Sequence, residues 1–116
     1  MLIPYEKCKI IRFIVDGQLI KIDPTCDIVD LVPGTEKYVR ADFLFSSEWR
    51  SYVKVVGFYS SMGREYEPQE LKDGRSCWIP SEALKKREFK VSVIGKNADS
   101  KLVTNKVAVR QNGGRT

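Results

Sequence analysis

Cys8, Cys26 and Cys77 are the residues of this chain best suited to covalent or metal chemistry. A thiolate attacks carbonyl carbon when a base takes its proton, and paired thiolates hold zinc. Neither arrangement fits this sequence. The three cysteines are an odd number, lie far apart and include no C-x-x-C pair, which argues against a disulfide framework and a zinc ribbon. The chain contains no histidine. The commonest general base and the commonest metal ligand are therefore both missing. Each cysteine borders strand-like sequence, where it reads as a small buried apolar side chain.

Carboxylates are plentiful, but no pair stands out at a fixed spacing, and no glycine-rich phosphate loop or metal constellation is present. The expectation is a protein without catalytic residues, cofactor or metal. The formal net charge of +5 is unevenly placed. Residues 1–58 hold 8 Lys/Arg and 8 Asp/Glu, whereas residues 59–116 hold 12 and 7. The excess comes from Lys85-Lys86-Arg87 and the spaced series Lys96, Lys101, Lys106, Arg110 and Arg115. Such a surface suits phosphates or an acidic protein partner. Glu82, Glu88 and Asp99 interrupt it, and no nucleic-acid motif accompanies it, so solvated strand faces are the simpler reading.

The elements that would position these groups are strands. Val39, Ala41, Phe43 and Phe45 alternate with Arg40, Asp42 and Leu44, the period of a strand with one buried face. Lys9–Val15 and Gln18–Ile22 flank Asp16-Gly17, a strong hairpin signal. Cys26–Val32 is a short apolar run closed by Pro33-Gly34. Tyr52–Tyr59 is rich in β-branched and aromatic residues. A short strand within 65–71 and another over Ser76–Ile79 flank the Asp73-Gly74 turn. Pro80–Lys86 is the single helical candidate, about two turns long and thus a connector. Phe89–Val93 and Leu102–Val109 complete the series, with a turn at Gly95-Lys96-Asn97.

Seven to eight strands in about a hundred residues describe an all-β, immunoglobulin-like antiparallel β-sandwich with one short connector helix. Its domain spans residues 1–110, and 111–116 read as a flexible tail or linker. The core should hold Phe43, Phe45, Trp49, Val56, Phe58, Phe89, Val91 and Val93. Apolar residues of the connector and the last strand, namely Trp78, Ile79, Pro80, Leu84, Val103 and Val107, are the candidate interface. No window approaches eighteen apolar residues, and the first residues lack a signal peptide's basic and apolar regions, so the expected site of synthesis is the cytoplasm, without a membrane partner.

Five segments occur in a recurrent order: Phe43-Leu44-Phe45-Ser46-Ser47-Glu48-Trp49, Lys54-Val55-Val56-Gly57-Phe58, Cys77-Trp78-Ile79-Pro80-Ser81-Glu82-Ala83-Leu84, Phe89-Lys90-Val91-Ser92-Val93-Ile94-Gly95 and Leu102-Val103-Thr104-Asn105. Over residues 5–110 the chain resembles the immunoglobulin-like N-terminal domain of phage minor structural proteins: head fibres, upper baseplate proteins and related virion attachment modules. The resemblance implies a non-enzymatic virion protein, made in the host cytoplasm. It would decorate the capsid or adapt the tail or baseplate, with other virion proteins as partners and a homo-oligomeric state. The alternative is a small basic β-domain that binds single-stranded nucleic acid, favoured by the basic second half and by exposed tyrosines such as Tyr52, Tyr59 and Tyr66, though nucleic acid is the less expected partner because the charge is interrupted.

Overall fold

The computed structural model describes residues 9–25 and 38–110. Nine strands form among them: β1 (Lys9–Asp16), β2 (Leu19–Ile22), β3 (Val39–Phe45), β4 (Val53–Ser60), β5 (Gln69–Glu70), β6 (Ser76–Trp78), β7 (Glu88–Lys96), β8 (Lys101–Val103) and β9 (Val107–Arg110). They build a sandwich. One sheet runs β2-β1-β3-β6, and the other runs β5-β4-β7 with both β8 and β9 on the far side of β7. The expected strand Cys26–Val32, its Pro33-Gly34 turn, Cys8, Cys26 and the expected tail 111–116 lie outside the described residues.

Four expectations change. The turn expected at Gly95-Lys96-Asn97 starts later, because β7 runs through Lys96 and the chain turns between Asn97 and Ser100. The sandwich is not wholly antiparallel, because β1 and β3 pair in parallel from Lys9↔Val39 to Val15↔Phe45. A parallel neighbour needs a long crossover, here the connection from Asp23 to Tyr38, and periodicity reports strands without their direction. The connector helix is a single 3₁₀ turn, Ala83–Lys85, and a second such turn covers Ser47–Trp49. The last strand is split. Val103 pairs with Ile94 and Val107 with Val91, so three residues on one strand face two on β7. That count is a β-bulge, centred on Thr104 and Asn105.

The bulge is held from both sides. The Val93 N–H donates to Thr104 Oγ1 (2.9 Å), and the Thr104 N–H to Val93 O (3.1 Å). Asn105 turns away from β7 and reaches β2. Its Oδ1 accepts the Ile20 N–H (2.9 Å), its Nδ2 donates to Ile20 O (3.4 Å), and its own N–H donates to Gln18 O (3.1 Å). The side chain thus occupies the backbone groups that an edge strand otherwise presents to another chain. At the opposite side, Arg75 and Ile79 bond β3, which leaves Ser76 and Trp78 pointing outward by antiparallel alternation. Asp73 Oδ1 caps the Ser76 N–H (2.9 Å), and Pro80 has no N–H to offer.

Between the sheets, Trp49, Val56, Phe58, Phe89, Val91 and Val93 are fully buried and Phe43 nearly so, while Phe45 is half-buried at the rim. Rings run in sequence from Phe13 through Phe43, Phe45 and Trp49 to Tyr52, with centroids 5.0, 5.9, 5.4 and 5.8 Å apart. This row bridges β1 and β3 to the start of β4. Gly95 lies beneath it: a Cβ there would stand 2.7 Å from Trp49 Cζ3, so the requirement for glycine is space.

Candidate interaction surface

The motif residues are mostly clamps. Ser46 Oγ accepts the Gly17 N–H (3.1 Å) and donates to Glu48 Oε1 (3.2 Å), while Trp49 Nε1 donates to Gly17 O (2.8 Å). Both backbone groups of Gly17, in the β1–β2 turn, are therefore satisfied by the segment Ser46–Trp49. Gly17 adopts a left-handed φ of 58°, which glycine enters without a Cβ penalty. In the connector, Ile79, Ala83 and Leu84 are buried, and the Pro80 carbonyl accepts the Ala83 N–H at 3.0 Å. Its apolar residues close the core.

The expected interface is corrected on this point. Ile79 and Leu84 are core residues with no surface to offer. Trp78 is 37% exposed, Pro80 is half-buried, and a shallow hollow beside them is lined by Tyr66, Gln69 and Glu82. Val103 is exposed and Val107 is half-buried facing the core, on the other side of the sandwich. The structure does not bring the Trp78 group and the Val103 group together.

It gathers another set instead, on the outer face of the β5-β4-β7-β8 sheet. Val56, Phe58, Phe89, Val91 and Val93 point into the core, so by alternation Val53, Val55, Lys90, Ile94 and Lys96 face outward, as do Gly57 and Ser92, which are buried. Register aligns Val55, Ile94 and Val103 in one row across three strands, with Glu70 at its β5 end. The next row is Val53, Lys96 and Lys101. On the other side of the aliphatic row lie Lys90 and Lys106. Val53 is 62% exposed, and neither Lys90, Lys96 nor Lys101 forms an ion pair among the described residues. Arg110 is paired with Glu88 at 2.7 Å. The result is an aliphatic stripe between unpaired lysines.

Tyr59 shares this face and is already occupied on both sides. It lies over Gly57, where no Cβ would fit; Ser92 Oγ donates to its hydroxyl (3.2 Å), and Lys106 Nζ stands 4.1 Å from its ring centroid. Tyr66 is buried, contrary to the exposure required of a stacking residue. Tyr52 packs against Trp49 and hydrogen-bonds Ser100 Oγ at 2.6 Å.

On the opposite face, a groove of about 490 Å³ is lined by Arg12, Arg40, Arg75, Asp23, Asp42 and Asp73, so its charges balance. Arg40 Nε donates to Asp42 Oδ1 at 2.8 Å. The carboxyls of Asp23 and Asp73 are held below their ordinary range by hydrogen bonds, from Thr25 and from the Arg75 and Ser76 amides respectively. Cys77 is a free, half-buried thiol whose pKa is pushed up to about 12 by burial, then by Asp73 and Asp42. It is the reverse of an activated nucleophile. Among the described residues no cluster of three metal-ligating side chains occurs, and no helix is long and apolar enough to cross a membrane.

No protein-family model matches this chain, and no curated protein matches it at significant similarity.

Proposed function

We propose that this chain is a non-enzymatic structural protein of a phage virion, attached to the particle through protein–protein contacts as a head fibre, decoration or tail and baseplate adaptor. The virion assignment rests on the ordered motifs in the sequence. The observation that carries the binding role is the outward-facing row Val55–Ile94–Val103, half-buried at Val55 and Ile94 and exposed at Val103, with exposed Val53 beside it, an aliphatic centre within a polar rim. An apolar centre within a polar rim is the arrangement found in protein-binding surfaces. The Asn105 clamp on β2 and the Asp73 cap beside β6 suit repeated attachment, because they leave fewer backbone groups of those edges open to unwanted strands. Self-association belongs to the same reading, and the Trp78–Pro80 side is the part of the expected interface left for it.

Single-stranded nucleic-acid binding is the weaker reading. Base stacking needs open aromatic faces, and the three tyrosines that favoured it are covered or buried. Mass spectrometry of gradient-purified particles tests the proposal. The chain should appear in them; a chain found only in the soluble fraction would remove the virion assignment.

A further inference from the structure

The outer face of the second sheet has a composition that limits what can cover it. Its centre is aliphatic, with no aromatic ring free to stack on a base, because Tyr59 lies between Gly57 and Lys106. Its flanks carry Lys96 and Lys101 on one side and Lys90 and Lys106 on the other. A second copy using the same face about a two-fold axis would press these lysine rows towards one another, and like charges across an interface oppose association. A nucleic acid would meet the lysines but leave the aliphatic stripe against phosphate or sugar. A protein surface with an apolar centre and acidic flanks answers both features at once.

We infer that the Val53–Val55–Ile94–Val103 face is a docking surface for an acidic protein segment, which lays aliphatic side chains along the stripe and carboxylates against Lys96 and Lys101. The inference rests on the protein-binding role proposed above, not on the partner being a virion subunit. Burying the stripe supplies the favourable term, since apolar area leaves water. The lysines supply orientation and speed of encounter, so association weakens as salt rises. Glu70, at the β5 end of the row, repels acidic groups and favours the β8 end for them.

The probe is a synthetic peptide with an aliphatic centre between two pairs of glutamates, added to the isotope-labelled full chain. Amide shifts should concentrate on Val55, Ile94, Lys96 and Val103, and should fade as salt is raised. Lys96→Glu with Lys101→Glu should weaken binding by about tenfold or more, since two attractions become repulsions. These residues are exposed, so an unchanged melting temperature shows that folding is intact. A matched peptide with lysines in place of glutamates should not bind. The inference fails if the acidic peptide binds nowhere or maps to the Trp78 side, if the double variant binds it unchanged, or if oligothymidylate shifts the same amides at lower concentration. Particle attachment retained by the double variant would overturn this surface and leave the virion reading standing. Peptide binding at this face by a chain absent from particles would do the opposite.

Discussion

The Asn105 side chain takes both backbone groups of Ile20, accepting its N–H at 2.9 Å and donating to its carbonyl at 3.4 Å, so one amide replaces a strand at the edge of β2. The two residues are 85 positions apart in sequence and join the two sheets. Asn105→Ala should lower unfolding free energy by about 1–3 kcal/mol, the cost of leaving polar groups without partners. Urea titration measures it, and hydrogen exchange at the Ile20 amide should quicken. An unchanged midpoint with an equally protected Ile20 would show that the clamp carries no weight.

Trp49 should be the most costly single truncation. It is fully buried, sits in the ring series and holds the Gly17 carbonyl. Trp49→Ala should cost about 3–5 kcal/mol. Trp49→Phe keeps most of the packing but loses the hydrogen bond, and should fall between that variant and the parent. Equal melting temperatures for all three would contradict this placement.

Adding one methyl group beneath the same ring should also destabilise the fold. Gly95→Ala places a Cβ 2.7 Å from the fully buried Trp49 ring and 3.0 Å from the Tyr52 Cβ. A loss of about 1–3 kcal/mol is expected from overpacking. Gly74→Ala is the control for a different cause: its surroundings are open, and only its left-handed φ of 77° resists the change.

Much of the fold was legible because most strands bury one face and so alternate apolar with polar residues. The ring of Trp49 follows such a strand directly, which placed it in the core. The connector misled for a physical reason: Ile79 precedes a proline and Leu84 lies in a short segment between strands, where apolar residues are commonly exposed, yet here both join the core. The bulge at Thr104-Asn105 left no periodic trace, since one inserted residue only exchanges the faces of short flanking strands. The direction of β3 depends on the route of a connection, which local pattern does not encode. Val103 was legible as an apolar residue of a late strand, but its row neighbours Val55 and Ile94 emerge only from register across three strands.

Cys77 should resist alkylation in the folded chain. With its pKa pushed up to about 12 from an ordinary 9.0, the thiolate is scarce at pH 8, and iodoacetamide should label it only after denaturant is added. The sign for stability follows directly. The folded state keeps the proton that the unfolded state releases, so this group's contribution is intact below about pH 9 and declines as pH rises towards 12. The urea midpoint of the parent relative to Cys77→Ala should therefore fall over that window. Rapid labelling of native Cys77, or a gap that widens with pH, would refute the assignment. Reductant should leave the melting temperature unchanged.

The most direct test of the attachment role is the copy number of this chain in purified particles after nuclease treatment and a high-resolution density gradient. Attachment through protein contacts, as proposed, requires a fixed, repeatable number of copies per particle, unaffected by nuclease. A chain that leaves the particle fraction with the digested nucleic acid, and that binds oligothymidylate tightly at low salt, would contradict it.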